Sequence, residues 1–342
     1  MKFQRNTLIF FTAVLGFSVG TLSGCATSGK QTKGDMKYAD HYASADMSVP
    51  PITTAADYER LGDMYYDKDN LYNAFLQYEK SLKLDPDNFR VLYKKGLSFL
   101  SGGMEEDALN DFQAVLKMKP DYALAYEGMG QAYFQINKYE DGIKYLTKAT
   151  ELDGTLWKPR NFLGIIYDRK KNHKRAITEY NTGIEINPKA GLLYNNLGVS
   201  YNEKGDYEKA INAFNRAIEN KYDNSRVYNN LGLALSKMGR CREALIYFKK
   251  AGDEAKAYNN LGCILLQQGE YKQAIDYFER AINLTPYFYA IAFENLKKAK
   301  VGYDNNMSKA NKRETSNMGN DDHLLGNRAE IKNVGGDGLL KE

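Results

Sequence analysis

The sequence predicts an all-α solenoid of seven helix-turn-helix units and a closing helix over residues 55–302. Three observations predict it. The pentapeptide YNNLG begins at Tyr194, Tyr228 and Tyr258, so one motif returns at a step of 34 residues and then of 30. Glycine recurs at a single phase along the body: Gly62, Gly96, Gly130, Gly164, Gly198, Gly232 and Gly262. Prolines at Pro86, Pro120, Pro188 and Pro286 fall near the end of a unit, where a proline stops a helix.

The first 24 residues read as a leader. Lys2 and Arg5 precede an apolar run from Leu8 to Leu22, followed by small residues, which is the pattern of a secretory signal. The run is shorter than the roughly 20 residues that span a bilayer. Leu22-Ser23-Gly24-Cys25 resembles the bacterial lipobox, in which the cysteine is acylated with palmitate-type chains and becomes the first mature residue. The resemblance implies lipidation at Cys25. Ala26 at the next position, with no Asp there, implies the periplasmic face of the outer membrane. Residues 25–54 carry small and polar residues, a Pro-Pro pair and no helical stripe, and read as a tether reaching on the order of 30 Å.

The body phases cleanly when Ala55 is position 1 of a 34-residue unit. New units then start at Phe89, Ala123, Trp157, Gly191 and Ser225, with a short unit before the last one at Ala255. Position 4 is Tyr58, Leu92, Tyr126, Tyr194, Tyr228 and Tyr258 in six units. Position 7 is Leu or Met except at Lys95, position 8 is the glycine, and position 11 is Tyr, Phe or Leu throughout. Positions 4, 7, 8 and 11 form one stripe of an amphipathic helix. Alanine recurs at position 20 (Ala74, Ala108, Ala176, Ala210, Ala244, Ala274), with an aromatic four residues later in most units. The glycine and alanine let two antiparallel helices approach closely, and each pair must stack on its neighbours to bury its other face.

This pattern resembles the tetratricopeptide repeat over residues 55–288, and the resemblance implies a right-handed α-solenoid. Residues 289–302 read as the closing helix. Two departures, Gly142 for Ala and Gly154 for Pro, predict an irregular junction at Trp157, a packing residue. From 303 to 342 the Asn, Gly, Lys and Asp content predicts disorder. The truncated sixth unit places a helix end at Ala251-Gly252 directly before Asp253, a predicted N-cap. That unit, the AYNNLG after it, the closing ENL helix and the lipobox are similar to the tetratricopeptide lipoproteins of tight-adherence (Flp/Tad) pilus assembly. The resemblance implies an outer-membrane adaptor that helps the pilus secretin assemble. A second reading is an envelope scaffold for peptidoglycan enzymes or outer-membrane protein assembly.

The chain offers no catalytic constellation. Its histidines, His41, His173 and His323, share no helical face with a Ser, Cys or Glu partner. GMGQAY at Gly128 lies within a helix and is no phosphate loop. DKDNL at Asp67 lacks the glycine and closing Glu of a calcium loop. The formal charge of +4 falls to about +2 without the leader, too small a basic excess for a nucleic-acid footprint. No enzyme activity, cofactor, metal or nucleic acid is predicted. Cys241 and Cys263 stand a helical turn out of register, which favours two small buried thiols over a disulfide, although an oxidising envelope permits one.

Function is therefore expected on surfaces. The face opposite the stripe, which lines the concave groove in the family, carries Asn161, Asn195, Asn196, Asn229, Asn230, Asn259 and Asn260. An amide both donates and accepts, so a row of them matches an extended peptide. Arg226, Lys237 and Lys256 add positive charge there, whereas Glu59, Asp63, Asp67 and Glu127 make the early groove acidic. The expected partner is a protein or extended peptide segment, a secretin subunit by resemblance. One other patch, RKKNHKR from Arg169 to Arg175, reads either as a solvated turn or as a contact for anionic headgroups or an acidic partner.

Overall fold

A computed structural model describes residues 54–285 and 289–330. The leader, Cys25, the tether up to residue 53, Pro286 and the last twelve residues lie outside the described residues. The described residues form helices and no strands. The chain divides into two compact units, one ending at Asp223 and the other beginning at Asn224.

In the first unit five helix pairs follow one another: α1 (Ala55–Asp67) with α2 (Leu71–Leu84), α3 (Phe89–Ser101) with α4 (Glu105–Met118), α5 (Ala123–Gln135) with α6 (Tyr139–Leu152), α7 (Trp157–Arg169) with α8 (His173–Ile186), and α9 (Gly191–Lys204) with α10 (Tyr207–Glu219). The second unit holds α11 (Ser225–Lys237) with α12 (Cys241–Ala251), α13 (Glu254–Gln267) with α14 (Tyr271–Asn283), and α15 (Ala290–Glu330). The predicted unit starts are the first residues of α1, α3, α5, α7, α9 and α11, and the last lies one residue inside α13.

Local chemistry sets the boundaries. Thr54 and Asp57 cap α1 reciprocally, and Asn70, Asn88, Asn172 and Asn224 each accept a backbone N–H at a helix start. Asp253 caps α13 as predicted, accepting from the Lys256 N–H at 2.8 Å. Pro86, Pro120 and Pro188 each stand two residues beyond a helix end. The third pair lacks the proline, yet α6 ends in register. There the Asp153 carboxylate accepts from the Thr155 N–H at 2.9 Å and its hydroxyl at 2.6 Å, closing the turn that proline closes elsewhere. Within each pair one turn residue has left-handed backbone: Asp69, Gly103, Asn137, Lys171, Gly205, Gly239 and Gly269.

Packing follows the phase of the sequence. Each repeat glycine faces the residue at position 24 of its own unit, which lies on the second helix. A Cβ on Gly198 would stand 2.5 Å from the Phe214 ring, and one on Gly232 would stand 2.7 Å from Phe248. The alanines at position 20 are fully buried beside that contact. In the first unit Leu146, Leu163, Ile166, Tyr180 and Leu193 join three successive pairs into one core, with Trp157 packed against it.

Two expectations are corrected. The closing helix was expected to end at residue 302, with disorder beyond; instead α15 runs unbroken to Glu330, and no proline interrupts that stretch. Its packed part is short: Ala292, Asn295, Leu296 and Ala299 are buried, Gly302 lies against the Tyr271 ring, and residues 304–310 are exposed. Cys241 and Cys263 are unbonded but half-exposed rather than buried.

Candidate partner-binding surface

The early acidic face is largely paired. Lys94 on α3 reaches back to α1, its Nζ 2.7 Å from both Glu59 Oε1 and Asp63 Oδ2. Asp63 also accepts from the Tyr78 hydroxyl at 2.8 Å, while Glu127 is buried and accepts from Gln131 at 2.9 Å. Burial pushes the Glu127 carboxyl up, against the opposing pull of Lys158 and Gln131. Asp67 lies at the exposed end of α1.

The predicted amide row is corrected in part. Asn161, Asn195 and Asn196 are buried, not open. Asn196 Nδ2 donates to Asn161 Oδ1 at 2.8 Å, and Asn195 Nδ2 donates to Asn196 Oδ1 at 3.1 Å, so the amides satisfy one another between α7 and α9. The reason is packing between repeats: the first helices α7 and α9 of adjacent repeats lie against each other and cover these amides. In the second unit Asn259 is buried too and accepts from Asn295 Nδ2 at 3.1 Å, a donor that also reaches Cys263 Sγ at 3.3 Å. Asn229, Asn230 and Asn260 remain half-exposed, as do Arg226 and Lys237, and Lys256 is exposed beside Asp253 at 2.9 Å.

A polar node at the turn between α7 and α8 was not foreseen. The Asp168 carboxylate is 4% exposed. Oδ1 lies 2.9 Å from His173 Nδ1 and accepts from the Ser200 hydroxyl at 2.7 Å, and Oδ2 accepts from the Tyr180 hydroxyl at 3.0 Å. Burial pushes this carboxyl up, and the hydrogen bonds from His173, Ser200 and Tyr180 pull it back. The signal was present in sequence: Tyr78 and Tyr180 stand at position 24 where other repeats have Phe or Leu, and a buried phenol needs an acceptor. Serine and histidine share one carboxylate oxygen here, so the histidine is not aligned to take the serine proton. Among the described residues no group of three His, Cys, Asp or Glu is placed to hold a metal, and no helix is long and apolar enough to cross a membrane.

These stacked pairs, joined by buried polar contacts and carrying their remaining chemistry on exposed edges, define a scaffold of protein-interaction repeats. Models described as tetratricopeptide repeat match residues 93–156, 159–189, 191–251 and 255–288, and one described as TPR repeat matches 62–103. The chain is a tetratricopeptide-repeat protein. It is similar to human tetratricopeptide repeat protein 13, 32% identical over 22% of this chain and 9% of that one. A DnaJ homolog subfamily C member 7 homolog of Dictyostelium discoideum is 22% identical over 46% of this chain and 30% of its own. The chain thus spans less than a third of these relatives' length. Among solved structures, a tetratricopeptide repeat protein from Parabacteroides merdae aligns with TM-score 0.50 and 18% identity over 72% of this chain and 98% of that one. The APC/C hetero-tetramer Cut9–Hcn1 aligns with TM-score 0.53 and 21% identity, over 72% and 48%. Both show the same fold.

Proposed function

We propose that this protein is a lipid-anchored adaptor on the periplasmic face of the bacterial outer membrane. Its repeats bind an extended protein segment, and it assists assembly of a tight-adherence pilus secretin. The observation that carries the reading is the run Leu22-Ser23-Gly24-Cys25 after a short apolar stretch, set ahead of a repeat array with a truncated penultimate unit. Acylation of Cys25 places the array at a membrane. The binding surface is the half-exposed part of the amide row, Asn229, Asn230 and Asn260, with Arg226, Lys237 and Lys256 supplying charge for a carboxylate on the segment. The buried amides Asn161, Asn195, Asn196 and Asn259 hold repeats together and have no part in contact with the partner.

The test is genetic and biochemical. Deleting the gene should deplete detergent-resistant secretin multimers from the outer-membrane fraction, and the Cys25→Ser chain should not restore them. Multimers at parental level in the deletion strain refute the secretin role. If the cell wall is altered instead, the chain serves peptidoglycan enzymes.

A further inference from the structure

We propose that the turn from Arg169 to Arg175 is a second membrane contact, docking the first unit on anionic phospholipid headgroups. The proposal rests on the reading that Cys25 anchors the chain, because an anchored body is held within tether reach of the bilayer. Attraction between a basic cluster and anionic lipid fades beyond roughly 10 Å, so a contact of this kind acts only on a body already held close.

Seven residues here contain Arg169, Lys170, Lys171, Lys174 and Arg175, all exposed, and no acid. The equivalent turn of the second repeat carries Glu105, Glu106 and Asp107, and that of the third carries Glu140 and Asp141. The cations are presented rather than dangling. The Arg169 guanidinium lies over the Phe134 ring at 5.0 Å and the Tyr139 ring at 5.9 Å, and donates to the Tyr139 hydroxyl at 3.0 Å. Arg175 lies over the Tyr167 ring at 5.6 Å. Lys170 pairs with Glu140, which is itself exposed. Beneath the turn, Asp168 ties its two ends through His173 and fixes both to Ser200 of the next repeat.

The turn keeps its charge against local preference. Lys171 takes the left-handed backbone that glycine, asparagine or aspartate takes in the other repeats. Lys174 and Arg175 occupy the first turn of α8, where the helix dipole favours acids and where α4, α6, α10 and α12 have them. A nearby layer of anionic phosphates offsets that cost. Five cations exposed along one turn, two of them seated over aromatic rings, spread their charge as a diffuse headgroup layer does, whereas one acidic side chain would meet a single partner.

The test uses the mature chain from residue 25 with Cys25→Ser, so that neither the apolar leader nor acylation supplies the affinity. Binding is measured by sedimentation with phosphatidylcholine vesicles and with vesicles containing phosphatidylglycerol. The anionic vesicles should bind at least about tenfold more tightly. Lys171→Glu with Lys174→Glu should abolish the difference, Lys171→Gln with Lys174→Gln should reduce it by about half on a logarithmic scale, and added salt should erase it. Lys83→Glu with Lys117→Glu changes the net charge equally on other exposed helix ends and should leave it within about twofold. Circular dichroism melts of each variant confirm the fold. Equal losses from both charge-reversal pairs would reduce the effect to net charge and overturn the proposal. So would undiminished preference for anionic vesicles in the Lys171/Lys174 variants, including the case in which those variants lose an acidic protein partner instead. Labelled fatty acid on the unmutated chain tests the anchor separately, so its failure is distinguishable from failure of the turn.

Discussion

Asn196 shows how a residue type can be right and its role misplaced. Its amide closes a buried chain with Asn161 and Asn195, so its removal strands partners that water cannot reach. Asn196→Ala should therefore cost about 1–3 kcal/mol in urea unfolding, and the double variant with Asn161→Ala should cost less than the sum of the singles. Additive losses would mean the two amides are not coupled. Asp111 makes a second test at this scale. Lys95 Nζ lies 3.2 Å from Asp111 Oδ1 and 3.0 Å from Glu79 Oε1. The two partners point in opposite senses: Asp111 and Glu79 outweigh burial and hold Lys95 charged, whereas burial pushes the Asp111 carboxyl up to about 6 against the pull of Lys95. The short contacts favour the charged pair at neutral pH. With the folded value above the unfolded one of about 4, the native state binds the extra proton between those pH values. This group's contribution is thus greatest at low pH and is lost as pH rises through the window. Stability of the parent relative to Asp111→Asn should grow by at most about 3 kcal/mol from pH 7 to 4. Identical pH profiles would remove Asp111 as the titrating group.

At the scale of the helix pair, one contact repeats: the position-8 glycine against the position-24 side chain. Gly198→Leu puts a side chain where even a Cβ would sit 2.5 Å from Phe214, and should lower stability by at least ~1–3 kcal/mol. Leu231→Ala empties a position that is 1% exposed and should cost about 2–5 kcal/mol. Unchanged melting in both variants would mean the helices pair in another register. This level was the most legible from sequence. Helix starts, the capping Asp253 and the glycine–aromatic contact all follow from spacing, because one helix pair is a short-range object. The Asp153 turn that replaces a proline was legible only as an irregularity, since its hydrogen bonds depend on a side chain choosing its own backbone. The amide row was misplaced for a related reason. An angle measured around one helix locates the partner within its pair but not the neighbour from an adjacent repeat, and it is between α7 and α9 that Asn161 and Asn196 meet and are buried. The extent of α15 was missed because composition marks the absence of a core and does not by itself fix where a helix ends.

At the scale of the whole chain, repeats of this kind put specificity on exposed edges, since their interior chemistry is spent in holding neighbours together. Asn229, Asn260 and Lys256 lie on helices whose core residues, Val227, Leu231, Ala257 and Leu261, are buried independently of them. Changing the three surface residues should leave the melt near that of the parent. The measurement is titration of the chain with a soluble peptide from a terminal region of a secretin subunit, the partner proposed above. Asn229→Ala with Asn260→Ala should weaken binding by about 1–3 kcal/mol, because water replaces each lost amide contact. Lys256→Ala acts differently. Its ammonium already sits 2.9 Å from Asp253 with more than half its surface exposed, so a carboxylate on the peptide must compete with an existing partner in solvent. Its effect should be smaller at physiological salt, where screening sets in at about 8 Å, and should grow as salt is removed. An amide loss insensitive to salt together with a lysine loss that follows it would place the peptide along this edge. Full affinity in the folded triple variant would exclude the edge, and the peptide would then have to bind elsewhere on the array.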